Sequence, residues 1–167
     1  MPYPAVTLAT ATSACNGVMI ELLSAETTRQ TGFTHRFRIP FDVINTSTWT
    51  TQGDTVTVTL GSTPTKFLVD KALVNISTAF ATTGTLTIQV GTDGDPDNFI
   101  DAQDAKTAAV LIGSQGAEPV TEAGTVGVAS DVLVARFTTQ GATGAPSDIT
   151  AGVAEILLSV VDINDAI

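Results

Sequence analysis

The residues best placed to do chemistry lie in one acidic stretch, Asp93-Gly94-Asp95-Pro96-Asp97-Asn98-Phe99-Ile100-Asp101-Ala102-Gln103-Asp104. Counted from Asp93, acids stand at positions 1, 3, 5, 9 and 12, with apolar Ile100 at position 8. Carboxylates at alternate positions can converge on one hard cation, and calcium loops use this spacing. Asp93, Asp95, Asp97 and Asp101 are therefore the candidate metal ligands. Against calcium stand Asn98 where such loops carry a turn-making glycine, and Asp104 where they carry a longer, bidentate glutamate. The same residues also make a helix start: Asp95 as N-cap, Pro96 at the first helical position and acid in the first turn. Phe99, Ala102, Lys106 and Ala109/Val110 continue at helical spacing, and Gly113 can stop the helix. The helix with a solvated acidic face is the preferred reading; no cofactor is expected, with calcium as the alternative.

The other reactive residue types are sparse. His35 is the only histidine and falls on the apolar side of an alternating run, so it reads as a packed core or interface residue. Cys15 is the only cysteine. It excludes an intrachain disulfide, and no cationic neighbour in sequence would lower its pKa toward a reactive thiolate. Trp49 and Tyr3 could stack on sugars, but a single Trp and a single Tyr make a weak platform, and packing is the simpler role. Gly91-Thr92-Asp93-Gly94 lacks the lysine of a phosphate-binding loop, and no serine stands in a G-x-S-x-G turn. The expectation is a protein that is not an enzyme.

The elements that must carry these residues are mainly strands. The chain has 167 residues, a mass of 17.1 kDa and 29 threonines, with only 14% charged and 5% aromatic residues. Threonine and valine suit pleated, half-buried surfaces because their branched Cβ stiffens χ1. The net charge of −10 makes nucleic-acid phosphates and anionic lipid poor partners. Mean hydropathy is +0.29, yet the longest apolar run, Ala108 to Ile112, is far short of a membrane span. The start, Met1-Pro2-Tyr3-Pro4, is no secretory signal, so synthesis in a cytoplasm is expected.

Residues 1–16 carry no charge and two prolines, and they read as an extended arm ahead of a β-sandwich domain over 17–167. Pro2, Tyr3, Pro4, Val6 and Leu8 are its candidate contact residues. Period-two alternation marks Val18 to Leu22, then Phe33 to Val43, where His35, Phe37, Ile39 and Phe41 share one face and Thr34, Arg36, Arg38 and Asp42 the other. Val56, Val58 and Leu60 alternate with Thr55, Thr57 and Thr59. Ala72, Val74, Ile76 and Phe80 follow, and Thr83-Gly84 suggests a hairpin into Leu86, Ile88 and Val90. Strands resume over Val132–Thr138 and Val153–Ile163, the latter apolar on both faces and so buried within a sandwich or at a subunit contact. Seven or eight strands with one short helix fit an all-β, antiparallel two-sheet sandwich of jelly-roll type, with an immunoglobulin-like sandwich as competitor.

Two stretches also carry a resemblance. Asn75-Ile76-Ser77-Thr78-Ala79-Phe80, with Gly84-Thr85-Leu86-Thr87-Ile88-Gln89-Val90-Gly91-Thr92-Asp93-Gly94-Asp95-Pro96-Asp97-Asn98-Phe99-Ile100, is similar to a segment of small virion proteins of tailed bacteriophages. Ile149-Thr150-Ala151-Gly152-Val153 and the strand after it resemble their closing strand. The resemblance implies a jelly-roll head decoration, or cement, protein on the capsid exterior. It would be a homotrimer with the major capsid protein as partner. A carbohydrate- or cell-surface-binding module of a phage fibre or adhesin is the alternative.

Overall fold

The computed structural model describes residues 19–45, 53–62, 67–112, 132–140 and 149–162. The elements, in chain order, are β1 (Met19–Leu22), α1 (Ala25–Thr31), β2 (His35–Pro40), α2 (Phe41–Ile44), β3 (Thr55–Ser62), β4 (Phe67–Ala81), β5 (Thr85–Thr92), β6 (Ile100–Asp104), β7 (Ala109–Ile112), β8 (Val132–Gln140) and β9 (Ala151–Asp162). They build a five-stranded sheet, β1-β2-β9-β4-β7, and a four-stranded sheet, β3-β8-β5-β6. Every neighbouring pair of described strands is antiparallel.

The pairing is nested: β2 with β9, β3 with β8, β4 with β7 and β5 with β6. That is one long antiparallel ribbon rolled on itself, and the roll closes where β9 meets β4 and β8 meets β5. This is the jelly roll, and it sets aside the immunoglobulin-like order. Alternation places Phe37, Ile39, Val74, Ile76, Ile156 and Leu158 of one sheet against Val58, Leu60, Leu86, Ile88, Leu133 and Phe137 of the other. The tilted pair Phe80 and Phe137, centroids 5.6 Å apart, spans the two layers.

Three sequence expectations change, and one element is added. The second strand ends at Pro40, because proline donates no N–H, and Phe41–Ile44 form a single helical turn closed by Asn45 N–H to Phe41 O. Thr83-Gly84 is not a hairpin turn: β4 and β5 lie in different sheets, and the chain crosses between layers there. The helix expected over Asp95–Gly113 is absent; β6 and β7 occupy it. The helix at Ala25–Thr31 was not foreseen; Ser24 accepts from Thr27 N–H at its start, and Gly32, at φ 78°, closes it.

Strand β9 lies at the centre of the five-stranded sheet. Its Ala154, Ile156, Leu158 and Val160 are buried against the core, while Val153, Glu155 and Leu157 on the other face are half-buried. Of the two roles expected for its double apolarity, the sandwich interior takes one face only.

Candidate functional site

The acidic stretch is a β-hairpin connection. Phe99 N–H bonds Val90 O, Asp95 N–H bonds Thr92 O and Thr92 N–H bonds Asp95 O at 2.8 Å, so residues 93–99 fold back over the end of β5. The fold-back needs Gly91. A Cβ there would lie 2.1 Å from Asp95 O and 2.8 Å from Asn98 N. Underneath sits Val134 of β8, paired with Gly91 and only 1% exposed although it belongs to the outward face. Asp95-Pro96-Asp97 thus forms a turn, not a cap, and Phe99 and Ile100 are buried by it. Tertiary burial of these two residues outweighs the local helix signal.

Asp93, Asp95, Asp97 and Asp101 are all exposed. Among the described residues no three His, Cys, Asp or Glu side chains come together as a metal-holding group. Asn98 Oδ1 is buried there without a hydrogen-bond partner, but one amide oxygen does not make a cation site. Asp104 is engaged locally: its carboxylate accepts from Lys106 N–H at 3.0 Å and from the Thr107 hydroxyl at 2.7 Å. The Lys106 N–H first, then the Thr107 hydroxyl, hold its pKa below the usual carboxylate value.

His35 is 2% exposed and stacks on Phe37 with centroids 6.2 Å apart, the packed histidine expected from its place in the alternation. The Thr34 hydroxyl lies 2.8 Å from its Nδ1, accepts from Val160 N–H at 2.9 Å, and stands 3.1 Å from Leu158 O. This hydroxyl closes the end of the β2–β9 ladder. The arm residues Pro2, Tyr3, Pro4, Val6 and Leu8, together with Cys15 and Trp49, lie outside the described residues.

The outward faces of the two sheets differ. On the four-stranded sheet, Thr57, Arg136 and Gln89 stand in one cross-strand row and Thr55, Thr138 and Thr87 in the next. On the five-stranded sheet the corresponding rows are Arg36, Leu157, Leu73 and Arg38, Glu155, Asn75. Leu157, Leu73 and Val153 are half-buried, Arg36 is exposed, and Asn75 donates to Glu155 at 3.1 Å. Lys71 is exposed on the same side, its ammonium reaching Gly32 past the end of α1. Sequence reading separated Arg36 and Arg38 from the core by alternation, but did not join them to Leu73 and Leu157. Strand order makes that surface.

Compared with protein-family models, curated proteins and solved structures, the chain matches none of the three.

Proposed function

We propose that the chain is a non-enzymatic structural protein of a tailed-phage particle, made in the host cytoplasm and carried on the capsid exterior. There it decorates the shell and bridges neighbouring major capsid protein subunits as a homotrimer. One observation carries the reading: the residues that resemble virion proteins are those that build the sandwich. Phe80, Leu86, Ile88, Val90, Phe99 and Ile100 are core residues, Gly91 seats the loop, and the closing stretch supplies Gly152 and central β9. A stretch whose side chains pack, rather than react, belongs to a module kept for its shape.

The mechanism is bridging. One oligomer holds several capsid subunits, so separating any of them must break many weak contacts together. The uncharged arm, with Pro2, Tyr3, Pro4, Val6 and Leu8, joins the domain at β1, the rim of the five-stranded sheet, and serves as a contact to the shell. An acidic body avoids the genome during assembly. The test is co-sedimentation of the full chain with empty heads of the phage that encodes it. Saturable binding is expected, weakened at least about tenfold by deleting residues 1–16 with the melting temperature unchanged. A full-length chain that stays in the supernatant at every head concentration overturns the reading.

A further inference from the structure

We infer that the outward face of the five-stranded sheet is the self-association surface of this protein, and that its occupant is the acidic β5–β6 hairpin of a second copy. The first observation is apolar. Leu73 and Leu157 stand side by side in register, Val153 lies two rows along β9, past the row of Glu155 and Asn75, and all three are half-buried. The same molecule covers the outward Val134 of its other sheet with a folded-back loop seated on Gly91. Apolar residues only half-buried on one face, where the described residues of the other face bury their outward valine, mark an interface.

The second observation is charge. The chain has 7 basic residues against 17 acidic ones, and three of the seven, Arg36, Arg38 and Lys71, border these leucines. Among the described residues of these rows the one acid is Glu155, bonded to Asn75. Asp93, Asp95, Asp97 and Asp101 are exposed at the β5–β6 turn, on the other sheet. One copy therefore offers a basic-rimmed apolar face and an acidic projection at separate places. Contacts between unlike patches are head-to-tail, and they close into a ring when the rotation allows it. Complementary charge sets the register of such a contact, and the leucines supply the desolvated centre.

This inference rests on the self-association proposed above and names its surface; capsid binding is a separate readout. The experiment is solution mass by light scattering on the full chain across a concentration series, with circular dichroism melts on each variant. The wild type is expected at a multiple of 17.1 kDa. Arg36→Glu with Arg38→Glu, and separately Asp93→Lys with Asp95→Lys and Asp97→Lys, should each weaken association at least about tenfold without lowering the melt. Combining both sets in one chain exchanges the charges and should restore the mass. Thr57→Glu with Thr87→Glu, on the other sheet's outward face, should leave it unchanged. Should a reversed variant fail to fold, wild-type association must weaken in 1 M salt, where the Debye length shrinks to about 3 Å. A wild type that is monomeric throughout overturns the inference, as does an oligomer indifferent to both reversals or not restored by their combination. Heads that bind the reversed variants as well as wild type leave capsid attachment standing while removing this surface from it.

Discussion

The two sheets share a core and differ in their outward faces. The four-stranded sheet turns threonines, Gln89 and Arg136 outward, and its single buried outward valine lies beneath the 93–99 loop. The five-stranded sheet turns Leu73, Leu157 and Val153 outward beside Arg36 and Arg38 of β2, each of the three only half-buried. Threonine on a strand satisfies both β geometry and water, so a face made of it needs no partner. Leucines at central positions of a sheet are chosen for something that packs on them. The difference separates a solvent face from a contact face within one small sandwich.

Substitutions can break or sharpen that contrast. The largest effect is expected at Gly152, which sits at φ 143° with the Phe80 ring 2.2 Å from where a Cβ would stand. Gly152→Ala strains the backbone and pushes Phe80 off Phe137, so both faces lose their common support. Urea denaturation should show a loss of about 4 kcal/mol. Gly91→Ala is more selective. It lifts the 95–98 backbone from β5 and uncovers Val134, making the four-stranded face resemble the other. A loss of about 3 kcal/mol and increased binding of a hydrophobic dye are expected, and unchanged dye binding would mean that the loop does not cover the valine.

Thr34→Val leaves the Val160 N–H without its acceptor at the edge of the contact face. Its expected cost is about 1–2 kcal/mol, read by thermal melting, with faster amide exchange at Val160. Leu73→Ser with Leu157→Ser should cost about 1 kcal/mol, since both side chains are only half-buried, while dye binding falls. Gain of dye binding in that pair would reverse the assignment of the two faces. The smallest effect concerns Asp104. Its pKa is depressed in the folded state, so its contribution is present above the unfolded value of about 3.9 and is lost as pH falls through the lower folded value. The group is exposed, which limits the term to ~0.5 kcal/mol. Asp104→Asn should remove that part of the acid limb and leave neutral-pH association through Asp93, Asp95 and Asp97 largely intact.

Much of the sandwich was legible because burial on a strand repeats every second residue. Phe37 and Ile39, Val56 to Leu60, Val74 and Ile76, and Leu86 to Val90 announce their own strands and their own inward faces. The acidic stretch shows where this fails. Asp95-Pro96 serves a turn as well as it serves a helix start, and Phe99 to Val110 satisfies helical spacing as readily as two short strands do. What decides is Gln103 pairing with Ile88 and Ile112 with Leu73, contacts that no local window contains. The candidate surface failed to show for a related reason. Arg36 and Leu157 are neighbours across strands separated by most of the chain.

The sequence by itself determined the class of fold, the core residues and the acid excess, because side-chain alternation and composition act locally and add along the chain. Only the tertiary structure decided which strands are neighbours, where the ribbon rolls from one sheet to the other, and which outward face is covered. Those properties depend on hydrogen-bonded partners far apart in sequence, and on whether a backbone has room to lie against another, as it does at Gly91.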